Sequence, residues 1–262
     1  MHELKWRYVL QLLGLLWILP FQSYLNPFGE VMMIDVGQGD CFLIQLPFHQ
    51  GTMMIDVAGS LYKNIPETVI APILKAKGIR SIDVLVVSHD DYDHSGGLNE
   101  LSDLVSIDQV ITDYQPEIAL GPARFSILQA MDITDDRNDQ SLIVYGTLGR
   151  HDYLFMGDAG VRVEEYLLSN YPLLTCDVLK LGHHGSNTSS SAAFLQQVSP
   201  QLALISAGKN NRYHHPSDEV IKRLNDYQIA YQNSAETGAV SIYVTPWFSF
   251  FVNASHEFGF LK

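Results

Sequence analysis

The chain of 262 residues is poor in cysteine and poor in positive charge. Its two cysteines, Cys41 and Cys176, exclude a disulfide scaffold and a cysteine-rich zinc module. Charged residues make up only 17%, and 16 lysines and arginines stand against 29 aspartates and glutamates, a formal net charge of −13. The acid excess argues against bulk electrostatic binding to nucleic acid; a local basic patch or bound cations would have to supply the attraction. No long linker or low-complexity run divides the sequence, and a hydrophobic content of 47% excludes global disorder. What is plentiful is histidine, with ten residues that cluster.

Residues 8–29 carry no formal charge. Their apolar core, Leu10 to Phe21, is shorter than the ~20 apolar residues that span a bilayer, and Pro20 interrupts it. Lys5 and Arg7 precede it, and Trp6, Tyr8 and Trp17 are of the aromatic kind found at bilayer interfaces. No small-residue cleavage site follows. We expect residues 1–29 to be a membrane anchor or the stub of a transmembrane helix, fixing the protein to the cell membrane. The basic residues would keep the N-terminus inside and put the remainder, residues 30–262, on the extracellular side. A buried N-terminal helix is the alternative.

Beyond residue 30, strands and helices intermix. Val31–Asp35, Cys41–Leu46 and Thr52–Asp56 read as strands, with Met-Met-Ile-Asp-Val at both 32–36 and 53–57. Ile82–Ser88 is nearly continuous apolar and is expected to be buried on both faces. Further strands are expected at Asp108–Thr112, Arg124–Gln129, Ser141–Tyr145, Tyr153–Met156, Cys176–Leu181 and Leu202–Ser206. Ala239–Thr245 and Phe248–Val252 read as an antiparallel pair. Helices are expected at Glu67–Lys77, bracketed by Pro66 and Gly78, and at Val161–Leu168, Ser190–Val198 and Ser217–Asn225. This mixture suggests an α/β (α+β) fold of sheets packed between helix layers.

The chemistry concentrates at strand ends. Directly after the apolar run Ile82–Val87, the chain reads Ser88-His89-Asp90-Asp91-Tyr92-Asp93-His94-Ser95-Gly96-Gly97. Imidazole and carboxylate are ligands for divalent metals, so one tight loop offers His89, Asp91, Asp93 and His94. Asp56 and Asp158 each follow an apolar strand, where an unpaired carboxylate would be costly. Asp158 reads as a metal ligand, with a helix cap as the alternative; Asp56 reads as a residue orienting a ligand. His183-His184-Gly185-Ser186 follows the strand Cys176–Leu181, and His214-His215-Pro216 comes after Leu202–Ala207 just before a helix, where a purely structural role is the alternative. Lys180, Lys209 and Arg212 flank them and could hold adjacent phosphates; ordinary surface charge is the alternative. Tyr92 and Tyr213 could stack on bases of a single strand.

His89-x-Asp91-x-Asp93-His94 resembles the H-x-H-x-D-H signature of the metallo-β-lactamase superfamily. More narrowly, the chain resembles the hydrolase-like domain of the ComEC DNA-internalisation competence family. The matching pieces are Asp35-Val36-Gly37-Gln38-Gly39-Asp40, Ile55-Asp56, the Ser88–Gly97 loop, Asn138-Asp139-Gln140-Ser141-Leu142, Met156-Gly157-Asp158, Leu179-Lys180-x-x-His183-His184-Gly185-Ser186 and Asn211-x-Tyr213-x-His215-Pro216. The resemblance implies a four-layer αβ/βα sandwich with two divalent ions at its strand ends. His89 and Asp91 would hold one ion and Asp93 and His94 the other, with Asp158 bridging. His183 is expected as a further ligand, although either histidine of the pair could fill that place. Asp93, His184 and His215 are the expected catalytic side chains. Lys180, Ser186, Lys209 and Arg212 are expected to bind substrate, and Asp35, Asp40, Asp56 and Asn138 to support the ligands.

Two departures from the signature enrich the site in oxygen. Asp91 replaces the second histidine, and Asn138-Asp139 stands where the superfamily places another. His151 lies at the wrong end of its hairpin to substitute. Harder ligands shift the expected metals toward manganese, with zinc or magnesium as the other candidates. The implied activity is a nuclease cleaving DNA, single-stranded by expectation, during competence uptake, in association with a DNA-uptake channel. A small-molecule hydrolase (a lactonase or a cyclic phosphodiesterase) and a non-catalytic membrane-linked module with a degenerate site are the alternatives.

Overall fold

The computed structural model describes residues 6–11, 25–128 and 136–262. Residues 6–11 are helical. The rest of the expected anchor through residue 24, and Gln129 at the end of an expected strand, lie outside the described residues. Among those described, no helix is long and apolar enough to cross a membrane.

Among the described residues, fifteen strands form two sheets. In chain order the first five are β1 (Gly29–Met33), β2 (Phe42–Gln45), β3 (Thr52–Ile55), β4 (Ser81–Val86) and β5 (Ser106–Ile111). Then follow β6 (Glu117–Leu120), β7 (Ala123–Leu128), β8 (Ile143–Leu148), β9 (His151–Phe155), β10 (Val178–Lys180), β11 (Leu202–Ile205) and β12 (Ala230–Asn233). The last three are β13 (Val240–Val244), β14 (Ser249–Asn253) and β15 (Phe258–Leu261). The first sheet runs β15-β14-β13-β1-β2-β3-β4-β5, the second β12-β11-β10-β9-β8-β7-β6.

Alternation along each strand explains the layering. Phe42 and Ile44 of β2 point into the space between the sheets, with Met53, Val86, Phe125, Val144 and Phe155. Phe42 and Phe155 meet edge to face across that space, with ring centroids 5.3 Å apart. The intervening Leu43, with Met54 and Leu85, points the other way, under Ile70, Leu74 and Leu101. Those residues come from Pro66–Ile70, its continuation Ala71–Ala76, and the helix Leu98–Leu104. On the second sheet Leu154, Leu179 and Ala203 lie under Val163, Phe194 and Val220, from the helices Val161–Asn170, Ala192–Val198 and Asp218–Asp226. The result is the expected αβ/βα sandwich, built because most strands are apolar on both faces.

The differences have local causes. In β4, Asp83 is exposed and accepts the Thr52 backbone N–H at 2.6 Å, so burial on both faces holds only for the later residues. The sequence expectations omit β6, β12 and β15, which are short, and β12 is polar. Two helices start where a serine caps them: Ser191 accepts from Phe194 N and Ser217 from Val220 N, both at 3.3 Å.

Candidate metal centre

Six loops converge at one end of the sandwich. The first sheet contributes the loop after β1, with Gln38 and Asp40, the residue after β3, Asp56, and the segment after β4, His89 to His94. The second contributes Asp158 after β9, His183 and His184 after β10, and His215 in the loop beyond β11. Asp56, His183 and His184 adopt left-handed backbone conformations, with φ of 62°, 47° and 53°. Non-glycine residues held there are costly and concentrate at functional sites.

His94 is the centre of the cluster and is fully buried. Its Nδ1 lies 2.8 Å from Asp56 Oδ2. The Asp56 carboxylate also accepts from the Ser88 backbone N–H at 2.6 Å and the Ser88 hydroxyl at 2.8 Å. The carboxylate thus fixes the ring so that Nε2 faces Asp158 Oδ1 at 3.1 Å. This is how a supporting carboxylate aims an imidazole at a metal. His184 follows the same logic: its Nδ1 is 2.8 Å from the Ser206 carbonyl oxygen. Its Nε2 then lies 3.3 Å from Asp93 Oδ2 and 3.5 Å from Asp158 Oδ2.

The donor set fits a divalent cation. His89 Nε2, His94 Nε2, His184 Nε2, Asp40 Oδ1 and Asp158 Oδ1 are all buried without a hydrogen-bond partner. Buried polar atoms left without partners are rare unless a ligand or ion takes them. One ligand atom each from Asp40, His94, Asp158 and His184 lies within 4.8 Å of the others. Around this group stand Asp93, His183 with Nε2 3.9 Å from Asp158 Oδ2, and Asp91 with Oδ2 3.9 Å from His89 Nε2. A cavity of about 210 Å³ opens onto them, lined by Gln38, Asp91, Asp93, Asn138, Asp158 and His183, with His184, Tyr213 and His215.

Mutual proximity sets the charge states. Burial opposes ionisation of Asp158, but His184, His94 and Lys180 outweigh it and hold the carboxyl well below the usual range. Burial likewise disfavours charge on His184, yet Asp158 and Asp40 push it up to about 9. His215 goes the other way. Its own burial, then His183 and His184, bring it down to about 4.

Three expected roles are corrected. Lys180 is 1% exposed and points inward. It forms an ion pair with Asp40, donates to the Gly157 carbonyl at 2.6 Å and lies 3.6 Å from Asp158 Oδ1, so it is not free to hold a substrate phosphate. The Ser186 hydroxyl is spent within its own loop, 3.0 Å from Thr188 Oγ1. Asp35 is exposed and accepts from Gly37 N at 3.1 Å, closing a turn rather than supporting a ligand. Asp40 and Lys180 are instead the pair that charges the interior of the site. Gln38, given no role from sequence, lines the cavity with a buried, unpartnered Nε2.

The remaining residues fall around the mouth. Asn138 Nδ2 is 3.5 Å from His183 Nδ1. His215 stacks on Tyr213 with centroids 5.8 Å apart, and Arg212 lies 4.6 Å over the Tyr213 ring. Lys209 is exposed and borders an adjoining cleft of about 920 Å³ that shares Tyr213 and His215 with the metal cavity. Tyr92 is half exposed and packs on Gly59 and Gly96. His151 is buried at the start of β9, 3.6 Å from Asp177 and away from the cluster.

Gly39 locks two loops together. At φ +126° its backbone is accessible essentially to glycine, and a Cβ there would collide with the Asp93 carbonyl oxygen. The neighbouring Asp40 N–H donates to that oxygen at 3.1 Å, and Ser206 Oγ donates to the Gly39 carbonyl at 2.7 Å. Gly39→Ala is expected to destabilise the fold by about 1–3 kcal/mol and to weaken metal affinity by separating Asp40 from Asp93. Thermal unfolding with and without added Mn²⁺ checks both effects.

Comparison with known proteins places this geometry. Residues 34–131 match the family model described as the Metallo-beta-lactamase superfamily. The ComE operon protein 3 of Bacillus subtilis (strain 168) is 32% identical over 252 residues, 81% of this chain and 32% of that protein. The Competence protein ComA of Neisseria gonorrhoeae is 34% identical over 231 residues, again 81% of this chain and 32% of that protein. The chain thus spans about a third of the length of the curated relatives it matches. Among solved structures, a variant of CmlA β-hydroxylase superposes with a TM-score of 0.51 at 11% identity, covering 78% of this chain and 52% of that one.

Proposed function

Because the chain belongs to the metallo-β-lactamase superfamily and has competence proteins among its relatives, we propose that it is a metal-dependent nuclease cleaving DNA phosphodiesters during competence uptake. The observation that carries the metal dependence is the convergence of buried, unpartnered His and Asp atoms at the strand ends of both sheets. Asp40, His94, Asp158 and His184 would hold one cation, and His89, Asp91, Asp93 and His183 would supply donors for a second. The ions, manganese first and zinc or magnesium otherwise, provide an activated water and neutralise phosphoryl charge when bound.

The protein's own groups do the rest. Asp93 faces the cavity and accepts a hydrogen bond from the attacking water. His215, brought down to about 4 by its own burial, then His183 and His184, stands at the cavity mouth as a hydrogen-bonding group for the substrate. Arg212 and Lys209 meet flanking phosphates, and Tyr213, half exposed beside them, stacks on a base. In a protein of net charge −13 these few groups and the cations provide the attraction for DNA. The chain acts at the cell membrane, with residues 30–262 as the hydrolase domain on the extracellular side, next to a DNA-uptake channel.

The test is cleavage of single- and double-stranded DNA by the purified chain, with and without Mn²⁺, beside Asp93→Asn. Manganese-dependent cleavage, reduced at least about a hundredfold by the substitution, is the expected result. No DNA cleavage by a folded, metal-loaded chain overturns the nuclease reading. Hydrolysis of lactones or cyclic phosphodiesters alone would select the small-molecule reading. A folded chain that binds no metal would select the non-catalytic one.

A further inference from the structure

Among the described residues, nothing covers an aromatic surface at the end of the sandwich opposite the metal centre. Register fixes its location. Gly29, the first residue of β1, pairs with Val244, Val244 with Ser249, and Ser249 with Leu261. The metal loops follow the other ends of β1, β3 and β4. Around the Gly29 end stand Phe28, Phe48, Trp247 and Phe248, exposed by 38%, 49%, 78% and 47%. The backbone ties the first two together, with Phe48 N donating to the Asn26 carbonyl at 2.7 Å.

The surface continues up the outer face of β13–β15. Tyr243 and Phe250 pair across strands with centroids 5.3 Å apart, and Phe248 and Phe260 lie 6.3 Å apart. Phe260 and Phe258 are 63% and 67% exposed. The charges bordering Tyr243 cancel, because Glu30 is paired with Lys77 at 2.6 Å. An aromatic cluster of this extent, left in water, marks a contact surface.

Its occupant is indicated by what joins it. The charge-free stretch, residues 8–29, runs directly into β1 at this end. Any membrane tether in that stretch delivers the domain to the bilayer with the aromatic end leading. Tryptophan and tyrosine favour the headgroup zone, and phenylalanine inserts beyond it. We propose that the surface formed by Phe28, Phe48, Trp247, Phe248, Phe258 and Phe260 rests in the bilayer interface, holding the metal cleft pointed away from the membrane. This rests on the reading of residues 1–29 as an anchor, and the test separates the two.

Trp6, Trp17 and Trp247 are the three tryptophans. Full-length chain is reconstituted into phosphatidylcholine–phosphatidylglycerol vesicles containing brominated lipids, in two single-tryptophan forms. Trp6→Phe with Trp17→Phe leaves Trp247; Trp6→Phe with Trp247→Phe leaves Trp17. The expected result is that Trp247 emission is quenched by brominated lipid and shifts to shorter wavelength, and that Phe258→Ser with Phe260→Ser diminishes both effects while Trp17 stays quenched. Quenched Trp17 beside a Trp247 that lipid leaves untouched and acrylamide still reaches overturns the surface but not the anchor. A Trp247 shielded from acrylamide yet untouched by lipid also overturns it, in favour of a protein partner or a second copy. Trp17 unquenched overturns the anchor, and with it the tethered orientation.

Discussion

Asp158→Asn is expected to lower the proposed DNA cleavage by about a thousandfold or more and to abolish tight Mn²⁺ binding, with far-UV circular dichroism unchanged. The expectation follows from position. Asp158 Oδ1 faces His94 Nε2 at 3.1 Å and Lys180 Nζ at 3.6 Å; Oδ2 faces His184 at 3.5 Å and His183 at 3.9 Å. Asp158 thus faces both the buried His94 and Lys180 and the outer His183. The amide keeps the shape and removes the negative charge that gathers these cations. Metal titration followed by single-turnover cleavage measures both losses. Wild-type metal affinity in the variant would remove Asp158 from the ligand set.

The second large effect is on stability. Lys180→Met is expected to cost about 3–5 kcal/mol in urea unfolding, the cost of breaking a buried ion pair from one side. Both Lys180 and Asp40 are 1% exposed, and Asp40 relies on that ammonium. Burial alone would push the Asp40 carboxyl up; Lys180 first, then His184 and His94, hold it well below its ordinary range. Methionine keeps the stem and deletes the charge. Adding Asp40→Asn to the variant is expected to recover part of the loss, because the orphaned carboxylate goes with it. If the single substitution costs under ~1 kcal/mol, Asp40 finds another counter-charge and the pair does not hold the site together.

Much of this site is legible in the sequence for a physical reason. His89, Asp91, Asp93 and His94 crowd one loop after an apolar strand, and a fold seldom places so many ligand types there without use. Asp56 is legible as a supporting residue because it ends β3, and its contacts with Ser88 and His94 match that placement. Lys180 is not legible. A lysine beside two histidines suggests surface phosphate binding, and its partner Asp40 lies 140 residues away on the other sheet's loop. Only the packing of one sheet on the other shows that the ammonium points inward. The fold class is legible for the opposite reason, since apolar residues on both strand faces demand layers on both sides. The strand β15, Phe-Gly-Phe-Leu, is missed because its exposed phenylalanines contribute nothing to an inward-facing pattern.

The order of the first sheet carries a consequence for synthesis on the ribosome. β1 sits in the interior of that sheet, between β2 and β13, yet its β13 partner lies more than 200 residues later. Until Val240–Val244 emerges, the five residues of β1 present one open row of N–H and C=O groups beside the apolar N-terminal stretch. Such a row is a template for wrong pairing between chains. The strand β13, though it supplies no candidate ligand, is the piece that seals the nascent sheet. A chain shortened before Val240 would keep every candidate metal-binding residue and still be born with an adhesive edge.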